Sequence, residues 1–191
     1  KIDAGGGIGI FCHPYWFYLS KYYVSPALSD YLLENCSMTA VELIGGFYKW
    51  QLSNNLQTSW FFDHDASRRI PVVGSSDAHG CERDELFGWY YTIVFSESAE
   101  LADLKRNIQA RRSVAVEVMK DEAPRFYGQF RLVKYSQFLL REYFPLHDWL
   151  CREEGELMLR HVAGDEKASK ALAALKGGVA GIYFMPFLSA D

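Results

Sequence analysis

The sequence predicts an α/β fold with a helical C-terminal extension. Two observations lead there. Along residues 1–119, short apolar runs bounded by Gly and Pro alternate with longer stretches of helical character. That alternation is the mark of strands joined by crossover helices. Near Lys120–Pro124 the composition changes, and residues 120–191 read as helical, with no internal repeat and no low-complexity tract.

Taken in order, a glycine-rich lead, Gly5-Gly6-Gly7, runs into Ile8–Cys12, a buried strand stopped at His13-Pro14. The lead is not a phosphate loop, because a strand follows it and no Lys-Ser/Thr does. Pro26–Glu34 reads as a helix with Pro in its first turn. Ala40–Ile44 is a second buried strand, closed by Gly45-Gly46. Tyr48–Arg69 is helical with irregular ends. Pro71–Gly74 is a third strand, Ser75–Asp84 a polar loop, and Trp89–Phe95 a fourth strand. Ser98 is placed to cap a helix whose Leu101, Leu104 and Ile108 share one face. Ser113–Val118 is a fifth strand. All five are expected to run parallel. Beyond them, Phe130–His161 is helical with a break at Pro145, Asp165–Leu175 is a second helix, and Gly177-Gly178 ends it.

The composition suits a packed core: 49% of residues are apolar, with 13 Phe and 12 Tyr. Twenty Lys and Arg against 24 Asp and Glu leave a formal charge of -4, which argues against a nucleic-acid footprint. An anionic substrate would then be held by local cations, and bound metal ions are the natural ones. Cys12, Cys36, Cys81 and Cys151 lie far apart without a CxxC pair. They read as reduced thiols of a cytoplasmic protein. No apolar run reaches the roughly 20 residues that span a bilayer.

Asp77-Ala78-His79 is the sharpest chemical feature. It directly follows the strand Pro71–Gly74, and in extended backbone positions i and i+2 share a side. A carboxylate and an imidazole together suit zinc, manganese or iron. His13 ends another buried strand, so in a parallel sheet the two features converge on one rim.

These residues resemble a known family. Gly7-Ile8-Gly9-Ile10-Phe11-Cys12-His13-Pro14 resembles the strand ending in His-Pro of the PHP (polymerase and histidinol phosphatase) domain. Ala40-Val41-Glu42-Leu43 is similar to its following strand. Pro71–Gly80 resembles its last metal motif, and Ser98–Val116 its closing helix and strand. The resemblance covers Gly5–Val118. It implies residues 1–119 to be the C-terminal half of a distorted (β/α)7 TIM-like barrel, with 120–191 a helical appendage. It implies metal ligands at His13, Asp77 and His79, with Asp77 and His79 catalytic, and two or three divalent ions in the intact protein. Glu42 falls beside the site without being a ligand. The implied activity is a metal-dependent phosphoesterase acting on a small phosphorylated substrate.

The family's early metal motifs, beginning with His-x-His, are absent from this sequence. The chain is therefore expected to be a fragment, inactive by itself. Its apolar strands would be covered by a missing N-terminal half or by a second copy of the chain. A non-catalytic scaffold and a hydrolase of carbon–nitrogen bonds stand as alternatives. Elsewhere, Asp63-His64-Asp65 reads as a solvated helix face, and Arg111-Arg112 as a helix C-terminus. Cys12 is expected to point away from His13 into packing, and His147 and His161 have no partner in view.

Overall fold

The computed structural model describes residues 1–35, 38–52, 54–81, 86–178 and 181. It is a mixed α/β structure dividing into two compact units, Lys1–Lys134 and Tyr135–Asp191. The expectation for Cys36, and those for residues 179–180 and 182–191 of the extension and for the end of the loop Ser75–Asp84, lie outside the described residues.

The first unit is built on a parallel sheet of β1 (Ile10–Phe11), β4 (Ala40–Gly45) and β5 (Val72–Ser75), in the order β1-β4-β5. Every residue of β4 is buried, including Glu42 amid its apolar neighbours, as in a strand covered on both faces. Helix α1 (Pro26–Asn35) links β1 to β4, and α2 (Asn54–Arg68) links β4 to β5. Between β1 and α1 lies a short hairpin, β2 (Phe17–Tyr18) and β3 (Lys21–Tyr22), which the sequence does not announce. Its two turn residues, Leu19 and Ser20, have φ of 47° and 62°. Paired positive φ is the geometry of the tight hairpin turn that usually carries Asn-Gly. Leu-Ser gives no such signal.

The remaining strands, β6 (Tyr90–Val94), β7 (Ser113–Glu117) and β8 (Arg125–Gly128), form a second sheet, and it is antiparallel throughout. This corrects the expectation of parallel strands. Helix α3 (Leu101–Gln109) joins β6 to β7 without carrying the chain back to the starting end of the sheet. Strand β8 falls inside the segment read as wholly helical and pairs with β7 instead. Among the described residues the strands make three separate sheets and not a closed ring.

The two larger sheets are tied where β5 crosses β6 and β7. Thr92 Oγ1 donates to Gly74 O at 2.8 Å and accepts from Gly74 N at 2.9 Å, while Ser113 Oγ donates to Val72 O at 2.7 Å. A Cβ at Gly74 would stand 2.6 Å from Tyr91 O, so only glycine permits this approach. Around the crossing Leu43, Ile44, Val72, Tyr90, Ala115 and Met119 form the main core with Phe61 of α2 and Leu86.

Helix α3 begins later than expected. Its cap is Glu100, and Ser98 Oγ instead accepts from Glu100 N and donates to Asp103. Leu101 is exposed and the buried residue of the helix is Asn107, whose amide donates to Glu97 at 2.7 Å. The helix closes with Arg112 N bonded to Asn107 O and Arg111 N to Ile108 O, with Arg111 at φ 61°. This is the Schellman arrangement.

In the second unit the break expected at Pro145 is a π-helical turn, Leu139–Tyr143, joining α4 (Phe130–Phe138, which starts in the first unit) to α5 (Phe144–Val162). Proline's ring clashes with the carbonyl four residues back, here Arg141, and the wider turn relieves that clash. Asp165 caps α6 (Glu166–Leu175), accepting from Lys167 N at 2.9 Å. Among the described residues no helix is long and apolar enough to cross a membrane.

Candidate functional site

The hydrogen-bonding power of Glu42 organises the site. This carboxylate lies in the middle of β4 and is fully buried. Its Oε2 accepts from the backbone N of His13 at 2.7 Å and lies 2.7 Å from His13 Nδ1. Both bonds reach across from β4 to the residue just beyond β1, its neighbour in the sheet. The other oxygen, Oε1, has no hydrogen-bond partner among the described residues. A buried carboxylate is tolerated only with such partners.

With Nδ1 engaged, His13 turns Nε2 toward Asp77 Oδ2, 3.7 Å away. The two residues are brought together from the ends of β1 and β5, as the sequence predicts for strands sharing a rim. Both have left-handed backbone, φ 52° at His13 and 54° at Asp77. His and Asp accept that conformation more readily than most residues, and it swings each side chain off the strand direction. The His13 ring lies edge-on to Phe47, with centroids 6.2 Å apart, and 6.0 Å from Trp16. The hydrogen bond that the His13 ring donates to Glu42 lifts its pKa above the ordinary histidine range, against the pull of burial, and the charges of Glu42 and Asp77 add to the rise.

Gly45-Gly46 makes room for this. Gly46 has φ 64°, and a Cβ there would stand 3.2 Å from both Asp77 Cβ and His13 Cε1. At Gly45 a Cβ would press on Glu42 Oε1 at 2.8 Å and Ser75 O at 2.1 Å. The pair ends the strand and also admits the two functional side chains.

His13, Asp77 and His79 all line one cavity of about 240 Å³, walled by the aromatic residues Trp16, Tyr18, Phe47, Tyr48 and Trp50. This aromatic wall was not singled out from the sequence, although Phe47-Tyr48-Lys49-Trp50 directly after the glycine pair is the signal that marks it. Among the described residues no three His, Cys, Asp or Glu side chains stand close enough together to hold a metal ion. The donors that do meet fit one ion in part. Bonds of about 2.1 Å to an imidazole nitrogen and a carboxylate oxygen can span the 3.7 Å from Nε2 to Oδ2. A ligating histidine also ordinarily gives its other ring nitrogen to a carboxylate, the position Glu42 holds.

The other residues weighed from sequence fall elsewhere. Cys12 is exposed rather than packed, its Sγ 3.8 Å from Ile10 O. Its thiol is pushed up by partial burial and by the charges of Glu42 and Asp77. His64 is not simply solvated. It stacks on Trp60 with centroids 4.6 Å apart, and its Nδ1 lies 2.8 Å from Trp60 O. Arg112 donates to Glu97 and Asn107. His147 has Asp148 and Cys151 as neighbours, at 3.0 and 3.6 Å, and His161 has Ser169 at 2.7 Å.

No family model, no curated protein and no solved structure matches the chain.

Proposed function

We propose that this chain carries one side of the active site of a metal-dependent phosphoesterase of the PHP type, with His13 and Asp77 meeting at one ion and His79, on the same cavity, as a ligand of another. The observation that carries the reading is the Glu42–His13–Asp77 line. A buried carboxylate orients an imidazole so that its far nitrogen meets a second carboxylate in a cavity. A divalent zinc, manganese or iron ion there would supply Lewis-acid activation of water and of the phosphoryl oxygens. Glu42 holds the His13 ring and fixes which nitrogen faces the cavity. Asp77 offers negative charge to the cation, and Trp16, Phe47, Tyr48 and Trp50 wall the cavity around it. In the overall reaction the ester P–O bond breaks, water's oxygen joins phosphorus, and a proton passes to the leaving alcohol.

In this reading the remaining strands and ligands of a (β/α)7-type barrel pair with the outer edge of β1. That two-residue strand ends its sheet, and Ile10 is 39% exposed. A further chain segment or a second copy of this chain would supply them. The three described cysteines are free and exposed, which supports a reducing compartment such as the cytoplasm.

The test uses the intact protein with manganese or zinc and a small phosphomonoester. Asp77→Ala should lower turnover by at least ~100-fold, because the ion that activates water loses a carboxylate. Wild-type turnover in the variant would remove Asp77 from the mechanism. A second reading, a non-catalytic scaffold, is favoured by the lack of a three-residue metal cluster among the described residues. Intact protein that neither retains metal through dialysis nor hydrolyses any ester would select it.

A further inference from the structure

Beside the site lies a larger hollow of about 540 Å³, formed between the β2–β3 hairpin and the start of α2. Tyr18, Trp50 and Gln51 line both hollows, so the two adjoin at these side chains. Three features set this groove apart. Its lining, among the described residues, contains no charged side chain. Its walls are large apolar groups left open to solvent: Leu19 is 75% exposed, Leu52 67% and Trp50 63%. Contiguous exposure of that kind marks a binding surface rather than a core. Finally, Leu52, which lies outside the hairpin turn, has left-handed backbone at φ 59°, as do His13 and Asp77 in the adjoining site, and strain of that kind gathers where a surface is shaped for a ligand.

The rings are arranged for stacking. Trp50 lies parallel to Tyr48, 2° between planes, and meets Tyr18 at 5.8 Å and 44°. Gln51 Oε1 accepts from Tyr48 N at 2.7 Å and so fixes the turn that carries Trp50. We propose that this groove receives the uncharged, ring-bearing alcohol portion of the phosphate ester whose phosphate lies at His13, Asp77 and His79. The substrate class is an aryl or bulky cyclic phosphomonoester. Esters of small polyols would leave the apolar walls wet, and substrates with a second anionic group would meet no cation in the groove. The inference rests on the phosphoesterase reading for the position of the phosphate.

The test compares 1-naphthyl phosphate with glycerol 3-phosphate, which share the phosphate and differ in the alcohol. Calorimetric titration of the intact protein without metal should show the naphthyl ester bound at least about tenfold tighter, ~1.4 kcal/mol. With manganese, kcat/KM should favour it by a similar factor. Leu52→Asn places a residue suited to φ 59° in the wall while removing its apolar surface. It should fold with an undiminished melting midpoint and lose most of the preference, and Leu56→Gln should do the same from α2. Equal affinities for the two esters, or a preference untouched by both variants, would overturn the groove assignment. So would light scattering that shows a dimer split by Leu52→Asn, since a second copy would then be the occupant. Turnover of neither ester, with the naphthyl preference intact and lost in Leu52→Asn, overturns the phosphoesterase reading and leaves the ring-binding groove standing.

Discussion

Replacing Glu42 by Gln isolates the part of the site that the fold builds most deliberately. One oxygen of Glu42 takes two bonds from His13, each 2.7 Å, and the whole residue is buried. Gln keeps the shape and one acceptor but loses the charge. A bond to a charged group contributes about 1.5–3 kcal/mol and a neutral one about 0.5–1.5, so two such losses come to about 2 kcal/mol. The amide NH₂ must then occupy the place of Oε1, which has no partner among the described residues and lies against Gly45. That position lacks a partner with either residue, so the exchange there adds little to the loss. The variant should therefore unfold cooperatively but several degrees below the wild type. Its manganese or zinc affinity should fall about 10- to 100-fold, the usual effect of losing the carboxylate behind a ligating histidine. Thermal unfolding followed by circular dichroism and calorimetric metal titration of the intact protein would measure both. A variant that keeps wild-type metal affinity while losing stability would show that Glu42 holds the chain together and does not prepare His13 for an ion.

Gly74→Ala should be among the most damaging single changes. Its methyl would stand 2.6 Å from Tyr91 O at the crossing of the sheets, and the expected loss of 2 kcal/mol or more, roughly the scale of core overpacking, is readable by urea unfolding. In contrast, Arg111→Gly should stabilise by roughly 0.5–1 kcal/mol, because Arg111 sits at φ 61° in a helix-closing position that favours glycine; a lower midpoint would mean its side chain matters more than its backbone. Glu97 has its carboxyl held at about 2, first by the amide of Asn107 and then by its own backbone N–H and by Arg106. A depressed carboxyl stabilises the fold above its ordinary value near 4.5 and loses that contribution as pH falls toward 2. Glu97→Gln should therefore flatten the acid limb of the stability–pH curve, and an unchanged limb would refute the clamp.

Much of this protein is written locally. The apolar runs that become β4, β5, β6 and β7 are recognisable because burial demands them residue by residue. The helices α1, α2, α3 and α6 follow from periodicity and punctuation, and Asp165 caps α6 where a helix start is readable. The meeting of His13 with Asp77 is also legible, since both follow strands of one parallel sheet, although β1 lies at its edge and is not the buried strand expected of Ile8–Cys12. What sequence could not supply is whatever depends on a partner far along the chain. The direction of β6, β7 and β8 is set by where α3 releases the chain, and a strand's apolar pattern is the same in either direction. The β2–β3 turn escapes notice because Leu19-Ser20 adopts a conformation its residue types disfavour, imposed by pairing on either side. The resemblance puts Glu42 beside the site, but only the sheet shows what it does there, setting its carboxylate against His13, 29 positions away. Residue type and spacing thus determined the elements and the candidate ligands. Register, strand direction and the groove beside the site were decided in three dimensions, because each rests on contacts between segments that neither segment specifies by itself.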